Sequence, residues 1–427
     1  MKCADLPRRL FQVLSTTSHR RPRRCHLTIE GLEGRLLMAN LGTLAPSKPS
    51  AQVDFYVAKN GSNSNPGTLS QPFLTIAKGV SVLAPGDTLF VETGTYTESF
   101  QGTIPGGTSW SNPVTIEAYP GNNVTIQPNR GAARVMTFSG SNEQYIIIKG
   151  FTLNAKNVTY DAVKITDSSS RGPASHIELA NCTVENARDN GILTTDGAGY
   201  NQFIDLNVHN NGLTRFRNGL YLATPNNIVD GCIVYSNSGT GISIYSEAST
   251  TDCDNNIVSN NMSYNNGVAT STLAFGIDIA SGTGIQVFNN VCYGNYDGGI
   301  QVDYWSPTNC KIVNNTCVGN NSQGIYVGNG VDGGEGGPAV GTLVENNICY
   351  NNAQGDFYDT GTATSQVTNL FGVNPQFVNA AADNFHLQSG SPAIGAGTSI
   401  GVPTTDINGN TRPQGRYDIG AYEYVSA

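Results

Sequence analysis

One short pattern returns six times between residues 189 and 350, and it limits the folds open to this 427-residue chain more than any other feature. Each copy is a glycine followed by a short run in which apolar and other residues alternate. The copies are DNGIL (189–193), RNGLYL (217–222), TGISI (240–244), FGIDI (275–279), GGIQV (298–302) and QGIYV (323–327). Equivalent glycines, from Gly191 to Gly324, are 28, 22, 35, 23 and 25 residues apart. A period of about 20 to 50 residues is typical of a solenoid, in which stacking of neighbouring units supplies the hydrophobic core.

The repeating units are predicted to be strands. Apolar residues alternate with period two, as in Ile277, Asp278 and Ile279, which is the pattern of a strand with one buried face. The corners between the runs are rich in Asn and Gly, which tolerate the left-handed backbone that a tight turn requires. About three short strands fit into a unit of this length. The repeat therefore predicts a β-helix whose strands pair in parallel with those of the coils above and below.

Motifs near both ends of the chain resemble a known family. YVAKNGSNSNPGT (56–68), QPFLTIAKG (71–79), PGDT (85–88), GTY (94–96) and NPVTIEAYPGN (112–122) are similar to the opening of family 9 polysaccharide lyases. Over residues 55–370 the chain resembles the right-handed parallel β-helix proteins of the pectate-lyase-like superfamily. Residues 374–397 and 406–424 resemble the C-terminal module of secreted bacterial β-helix proteins. We expect an all-β, single-stranded right-handed parallel β-helix (solenoid) with a short N-terminal capping helix near residues 76–83, because the open end of a solenoid exposes apolar core and unpaired strand edges.

These comparisons of motif and composition divide the chain into four segments. We predict an export leader or disordered tail (1–50), an N-terminal cap with the first coils (51–128), the β-helix proper (129–370) and a C-terminal capping module (371–427). The first 42 residues contain eight Lys or Arg and three acids, followed by small residues. This composition favours export, and LEGRLL (32–37) resembles the LExRxLL leader of exported proteins from planctomycete-type bacteria. We therefore expect a secreted or cell-surface, extracytoplasmic bacterial protein.

The charge balance restricts the partners. Without the leader the chain has 15 basic and 29 acidic residues, a formal net charge of −14. Such a body is a poor binder of nucleic acid, and it needs local positive charge or a cation to hold an acidic polysaccharide. No apolar run reaches the roughly 18 residues of a membrane span. We expect a monomer with a polysaccharide substrate or glycan ligand, no nucleic acid and no membrane span.

Several recurring residues are predicted to be scaffold. Cys292, Cys317 and Cys349 fall at one equivalent position of the repeat, which predicts an interior ladder of thiols, and a disulfide within it stays open. The cysteine spacing does not indicate zinc. Pairs of asparagines recur at one corner and predict a ladder of hydrogen-bonded amides. A row of tyrosines predicts an aromatic stack. The asparagine pairs are 260–261, 289–290, 314–315 and 346–347, and the tyrosines are Tyr235, Tyr264, Tyr293 and Tyr350.

Function is expected where outward side chains interrupt the repeat. The alternation predicts an outward row of Lys164, Leu193, Tyr221, Ser243, Asp278, Gln301 and Tyr326, and a parallel row two residues on that includes Thr195, Tyr245 and Asp303. Asp278 and Asp303 lie in adjacent coils and differ by two positions in register. One coil step of about 4.8 Å and two strand steps of about 6.6 Å place them roughly 8 Å apart. This separation falls within the window of about 6.5 to 9.5 Å that is typical of an inverting glycosidase. The alternative is that both carboxylates simply face water.

The same face also permits a lyase. β-Elimination from a uronate requires a cation to neutralise the carboxylate and a base, so Asp278 and Asp303 would hold calcium while Arg217, Arg215 or Lys164 acts. The sequence lacks the clustered Asp set followed by a lysine that family 9 lyases have, so no catalytic residue is carried over from the resemblance. The predicted catalytic residues are Asp278, Asp303, Arg217 and Lys164, and the predicted substrate-binding residues are Tyr221, Tyr245, Tyr304, Trp305, Tyr326, Arg215 and His209. Calcium is the candidate cofactor, and its ligands beyond this pair are unknown.

Two classes of function follow. The first is a secreted carbohydrate-active enzyme, a lyase or an inverting hydrolase, that cleaves an acidic polysaccharide along the outward strand face. The second is a β-helix without catalysis that binds glycans or forms a structural layer at the cell surface.

Overall fold

The computed structural model describes residues 52–246, 252–268, 273–330, 336–399 and 401–426. The predicted leader, residues 1–50, lies outside the described residues. Nearly all strands belong to three long sheets of twelve, eleven and eleven strands, and neighbours within each sheet come from successive coils and pair in parallel. The predicted parallel β-helix is therefore confirmed, with one short α-helix, α1 (Ile76–Val80).

Each coil contributes one short strand to each sheet. The first sheet contains β1 (Asp54–Val57), β2 (Thr88–Val91), β5 (Val114–Ala118), β8 (Gln144–Lys149), β12 (Ser175–Ala180), β15 (Gln202–Ile204), β18 (Ile228–Asp230), β21 (Ile257–Ser259), β24 (Gln286–Phe288), β27 (Lys311–Val313), β30 (Leu343–Glu345) and β33 (Ser365–Val367). The second sheet contains β4 (Phe100–Gln101), β7 (Met136–Ser139), β10 (Val163–Ser168), β14 (Ile192–Thr194), β17 (Leu220–Leu222), β20 (Ile242–Ile244), β23 (Ile277–Ile279), β26 (Ile300–Val302), β29 (Ile325–Val327) and β32 (Phe357–Asp359), with β11 (Gly172–Pro173) paired to β10. The third sheet contains β3 (Gly94–Tyr96), β6 (Val124–Ile126), β9 (Phe151–Asn154), β13 (Thr183–Glu185), β16 (Asn207–His209), β19 (Ile233–Tyr235), β22 (Met262–Tyr264), β25 (Val291–Tyr293), β28 (Thr316–Val318), β31 (Ile348–Tyr350) and β34 (Leu370–Phe371).

The helix α1 lies at the first coils, as the sequence predicts. The side chain of Thr75 caps it by accepting a hydrogen bond from the backbone of Lys78 (3.2 Å), and the carboxylate of Glu98 accepts from the N–H of Ile76 (2.9 Å). These groups satisfy N–H donors that have no partner inside the first helical turn. The buried side of the helix packs Ile76 and Val80 into the core of the solenoid.

The interior of the solenoid is a stack of like residues. Ile277 and Ile279 of β23 lie above Ile300 and Val302 of β26, and all are buried. Cys292, Cys317 and Cys349 pair directly across β25, β28 and β31, which confirms the predicted ladder. All seven cysteines of the described residues are free, so the ladder consists of buried thiols.

The two residues of each asparagine pair have different structural roles. The first member, such as Asn314 (φ 55°), adopts the left-handed conformation that turns the corner. The second member, such as Asn315, donates its side-chain N–H to Asn347 (3.0 Å) and to the carbonyl of Val287 (2.9 Å), and it accepts from Asn290 (3.0 Å). The predicted ladder is confirmed, and its side-chain amides bind each coil to the next.

The outer face of the third sheet is covered. Tyr235, Tyr264 and Tyr293 stack with ring centroids 5.0 and 4.7 Å apart. Residues beyond β34, which include the hairpin β35 (Phe377–Asn379) and β36 (Asn384–Leu387), continue this apolar surface, and Phe385 lies 5.1 Å from Tyr293. The C-terminal segment thus packs along the third sheet on the side of the solenoid. Among the described residues, no helix is long and apolar enough to cross a membrane.

Candidate functional site

The outward face of the second sheet carries the row of side chains that the repeat predicts. Successive coils place Lys164, Leu193, Tyr221, Ser243, Asp278, Gln301, Tyr326 and Tyr358 directly beside one another. The residues on either side of Asp278, Ile277 and Ile279, are fully buried, so the side chain between them points away from the core. The predicted register is confirmed, while the roles assigned to these residues stay predictions.

Asp278 and Asp303 are neighbours on this face. Asp278 pairs with Gln301 across β23 and β26, and the N–H of Asp303 donates to the carbonyl of Ile279 (3.1 Å). Asp303 therefore lies one coil on from Asp278 and two positions further along the strand, which is the register behind the separation of roughly 8 Å. Both residues are only partly exposed, and Gln301 between them is buried.

Asp278 occupies an unfavourable position for a charged group. Burial and the carboxylate of Asp303 raise its pKa to about 7, Asp297 acts in the same direction, and the hydroxyl of Ser243 partly opposes them. Its Oδ1 is buried without a hydrogen-bond partner among the described residues. An unsatisfied carboxyl oxygen beside a second acid costs the fold free energy. A position of this kind is typical of a site kept for chemistry.

The carboxylate of Asp303 is held more firmly. The N–H of Gly330 donates to its Oδ1 (2.8 Å). Burial raises the pKa of Tyr326, a hydrogen bond with the hydroxyl of Thr360 lowers it, and the adjoining carboxylate of Asp303 raises it again. Asp303 fills the space beside Gly328 so completely that a Cβ on Gly328 would overlap its carboxylate. Asp303 is therefore fixed by the following coil.

Gly328 and Gly330 are the residues of this site that the sequence analysis missed. Gly328 follows β29 at the position that pairs in register with Asp303. A glycine opposite an outward acid in the neighbouring coil was a usable signal, because a larger residue there would leave no room for the acid.

Aromatic rings form a track on either side of the carboxylate pair. The ring centroids of Tyr221 and Tyr245 are 6.4 Å apart with nearly parallel planes, Tyr304 meets Tyr245 edge-on at 5.4 Å, and Trp305 follows at 6.0 Å from Tyr304. Tyr304 has a φ of 93°, which is rare for a bulky residue and turns its ring onto the face. Aromatic rings of this kind suit the apolar faces of sugar rings. The structure therefore brings together the predicted tyrosines and the tryptophan.

The basic residues predicted to act with the carboxylates lie in earlier coils of the solenoid. Lys164 lies on the same row but four coils before Asp278, which is about 19 Å at one strand spacing per coil. Arg217 lies in the turn before β17, and its Nε pairs with Asp189 at 3.0 Å. Arg215, in the same turn, extends over the ring of Phe216. The structure therefore does not place Lys164 beside Asp278 and Asp303, and the catalytic roles assigned to these residues and to Arg217 stay predictions.

His209 was predicted to bind substrate on the outward face of these coils, but it lies on a different sheet. It belongs to β16 of the third sheet, where its ring stacks on Tyr235 at 4.8 Å and its Nε2 lies 3.6 Å from Glu185. Burial lowers the pKa of His209, and Glu185 partly opposes this. The alternation alone could not reveal which of the three sheets each strand joins. His209 begins the aromatic stack that the C-terminal segment covers.

The donor set around the carboxylate pair fits calcium poorly. Ca²⁺ takes about six to eight oxygen ligands, mostly from ionised carboxylates. Here Asp278 has a pKa of about 7, and among the described residues no cluster of three or more His, Cys, Asp and Glu is placed to hold a metal ion. The pair is better suited to separate proton-donor and proton-acceptor roles than to binding a divalent cation.

Comparison with known families divides the chain near residue 220. Residues 55–219 match the family model described as the Pel9A-like right-handed β-helix region, and residues 224–405 match the model described as disaggregatase related. Pectate lyase L of Dickeya dadantii (strain 3937) is 23% identical over 277 residues, which are 61% of each protein. The uncharacterized protein YwoF of Bacillus subtilis (strain 168) is 29% identical over 147 residues, 34% of this chain and 30% of YwoF. The chain thus spans about three fifths of the length of the pectate lyase that it matches.

Solved structures show the same architecture. The crystal structure of pectate lyase Pel9A superposes with a TM-score of 0.67 at 19% identity, covering 88% of this chain and 97% of that one. XylC in complex with xylose superposes with a TM-score of 0.56 at 13% identity, covering 87% and 98%. At these identities the likeness concerns the fold, and it confirms the predicted right-handed coil.

Proposed function

We propose that this pectate-lyase-like right-handed β-helix protein is an enzyme that hydrolyses an acidic polysaccharide with inversion on the outward face of its second sheet. The observation that carries the proposal is the pair of unlike carboxyl groups. Asp278 has a pKa raised to about 7, and Asp303 in the next coil is held by Gly330 and lies against Tyr326. Inverting hydrolysis requires one carboxyl group that acts as an acid and one that acts as a base, and the separation of roughly 8 Å between Asp278 and Asp303 falls within its range.

In this mechanism the two carboxyl groups act on opposite sides of the scissile bond. Asp278, protonated near neutral pH, donates its proton to the glycosidic oxygen as the bond to the anomeric carbon breaks. Asp303 accepts a proton from a water molecule, whose oxygen bonds to the anomeric carbon from the opposite face of the ring. Asp278 ends ionised and Asp303 protonated, and exchange with solvent restores both. A separation of roughly 8 Å leaves room for the water.

The polysaccharide substrate class is supported by several features. The relatives and structural neighbours include proteins named pectate lyase and rhamnogalacturonan lyase, the latter with a TM-score of 0.51 at 16% identity, covering 76% of this chain and 90% of that one. The track of Tyr221, Tyr245, Tyr304 and Trp305 runs along the coil axis and would stack successive sugar rings. We further propose that the protein acts outside the cytoplasm as a monomer, which follows from the leader-like sequence of residues 1–50 and from a polymeric substrate.

β-Elimination is the second candidate, and the similarity to pectate lyase L favours it. Calcium belongs to this alternative, because a lyase needs a cation at the uronate carboxylate. The distance of Lys164 from the carboxylate pair argues against the pair as the centre of such a reaction. A third possibility, glycan binding without cleavage, is an outcome of the same assay.

The deciding experiment is incubation with a panel of acidic polysaccharides and their neutral counterparts, with and without EDTA or added calcium. We expect new reducing ends without the ultraviolet absorbance of unsaturated uronates, the α-anomer formed from a β-linkage or the reverse, and no effect of EDTA. Unsaturated products that depend on calcium would establish the lyase instead. Binding without new ends would establish the non-catalytic alternative.

A further inference from the structure

A basic cleft lies beside the turns that lead from the third sheet into the second. Its volume is about 850 Å³, and it is lined by segments of residues 130, 156–160, 188–189, 213–214 and 217. Each of four successive turns contributes one basic residue to its wall, and these are Arg130, Lys156, Arg188 and Arg217. They are 26, 32 and 29 residues apart in the sequence, so the basic residues recur with the coil.

Backbone hydrogen bonds between the turns fix this spacing. The N–H of Thr159 donates to Ala132 (3.0 Å), that of Asp189 to Tyr160 (3.4 Å) and that of Leu213 to Arg188 (3.0 Å). Each turn is therefore tied to the next in the same way as the strands. The backbones that bear the four cations are offset by about 4.8 Å per coil, which makes the wall of the cleft a ladder of positive charge.

The charge of this ladder is only partly compensated. Arg217 pairs with Asp189 at 3.0 Å, while within the described residues no carboxylate lies within ion-pair distance of Arg130, Lys156 or Arg188. All three are exposed. Arginines and lysines on adjacent coils repel one another, and a bound polyanion would offset this repulsion. In a body with an excess of acids, this local charge is the feature that an acidic ligand would recognise.

Apolar groups at the rim indicate a particular kind of anion. Tyr160 is 47% exposed and Leu213 63% exposed at the edge of the cleft. An inorganic anion makes no apolar contact with such a surface, whereas a glycan presents apolar ring faces together with its acidic groups. A polymer with one anion on each repeating unit also matches a ladder with one cation on each coil.

We propose that this cleft is a binding site for an anionic glycan, with the ladder of Arg130, Lys156, Arg188 and Arg217 contacting its carboxylate or sulfate groups. Arg217 precedes β17, and Asp278 lies two coils further on, at about 10 Å along the axis. A chain anchored in the cleft would reach the carboxylate pair over the rings of Tyr221 and Tyr245. Only this last step, in which the bound glycan is also the substrate, rests on the proposed function.

The test is calorimetric titration with polygalacturonate oligomers of defined length, with the same oligomers methyl-esterified, and with dextran sulfate. The variant is the triple replacement Arg130→Gln, Lys156→Gln and Arg188→Gln, which leaves the Arg217–Asp189 pair in place. The control is Lys311→Gln, which removes an exposed cation from β27 of the first sheet. Binding is measured in the Asp278→Asn background so that cleavage does not interfere.

We expect the triple variant to bind the charged oligomers about 5- to 50-fold more weakly, with a shallower dependence on salt, because three exposed ion pairs are lost. Lys311→Gln should bind as tightly as the parent, and the esterified oligomers should not distinguish the variants. Preference for dextran sulfate over polygalacturonate would identify sulfate as the recognised anion, and the reverse would identify carboxylate.

Equal binding by parent and triple variant, or an equal loss in Lys311→Gln, would overturn the proposal. The proposed function fails separately, since it predicts loss of cleavage in Asp278→Asn whether or not the cleft binds.

Discussion

The two halves of the solenoid share one scaffold and differ in charge. Residues 130–217 contain nine basic and eight acidic residues, whereas residues 218–370 contain one basic residue, Lys311, and twelve acidic ones. Both halves stack the same three strands per coil around an aliphatic core. The difference therefore resides in outward side chains, which the fold does not constrain. It places cations where a glycan would be held and acids where it would be cleaved.

Two carboxyl groups with similarly raised pKa values, one in each half, show how their hydrogen bonds differ. Burial raises the pKa of Glu143 to about 7, just as burial and Asp303 raise that of Asp278. Glu143, however, accepts hydrogen bonds from the backbone N–H groups of Ile104 (3.0 Å) and Ser139 (2.5 Å). Asp278 keeps a buried oxygen without a partner. Similar pKa values thus accompany a structural role in one half and a candidate catalytic role in the other, and the hydrogen bonds distinguish them.

Removing either carboxylate of the Asp278–Asp303 pair should have the largest effect on activity. We expect Asp278→Asn and Asp303→Asn each to lower kcat by about 10²- to 10⁴-fold, because each removes a proton donor or acceptor from the transition state. Reducing-end release measures the loss, and circular dichroism checks the fold. Asp230→Asn, which replaces an acid of the same half on the first sheet, is the control and should retain full activity. Activity that survives in both variants would remove the pair from the mechanism.

Gly328→Ala should have the next largest effect. The added Cβ would overlap the carboxylate of Asp303 and displace it, while the backbone at Gly328 needs no left-handed conformation. A misplacement of about 1 Å in a reacting group can cost on the order of 10²-fold, so we expect kcat to fall by about 10- to 100-fold. KM and the melting temperature should change little. A loss of stability equal to the loss of activity would instead assign Gly328 a purely structural role.

Replacing Asp278 or Glu143 by its uncharged amide should change the free energy of unfolding in opposite directions. For each of these two acids the folded-state pKa lies above the unfolded-state pKa. The contribution of the protonated group to the free energy of unfolding is therefore full below the unfolded-state pKa, and it is lost as the pH rises through the folded-state pKa of about 7. At pH 8, Asp278→Asn should therefore stabilise the protein by on the order of 1 to 3 kcal/mol. Glu143→Gln should destabilise it by a similar amount, because an amide N–H₂ replaces an acceptor that faces backbone donors.

Urea unfolding at pH 5 and pH 8 measures both effects. The gain from Asp278→Asn should shrink at pH 5, where Asp278 of the parent is protonated. If Asp278 is the proton donor, kcat of the wild-type protein should fall about tenfold per pH unit above pH 7 as this group ionises. A gain in stability that is the same at both pH values would show that the Asp278 carboxyl does not titrate in this range.

The repeat was sufficient to predict what the coils share. Strands paired in parallel place identical positions above one another, so aligning the glycines also aligned Cys292 with Cys317, Asn290 with Asn315 and Asp278 with Gln301. The register of the outward row followed from alternation alone. These features depend on local geometry that every coil repeats.

The remaining features depend on what individual coils do not share. Alternation does not say which sheet a strand joins, so His209 was placed on the wrong face. In the tyrosine row, Val318 occupies the coil between Tyr293 and Tyr350, so Tyr350 does not continue the stack. The cation ladder lies in turns of unequal length, where no alternation fixes a side chain. Its one sequence signal is the recurrence of basic residues near the coil period between Arg130 and Arg217.

The smallest expected effect concerns the rings that connect the two halves. Tyr245 lies between Tyr221 on the side of the cleft and Tyr304 on the side of the acids. Tyr245→Ala should raise KM for long oligomers by about 2- to 10-fold with kcat little changed, since an aromatic contact contributes about 0.5 to 1.5 kcal/mol and acts in ground state and transition state alike. Tyr200→Ala, which removes a 54% exposed ring stacked on His176 away from this face, is the control. If the glycan spans both regions, the increase in KM should vanish for oligomers too short to reach from the cleft to the acids. An equal increase for short and long oligomers would mean that the cleft and the carboxylate pair bind the glycan independently.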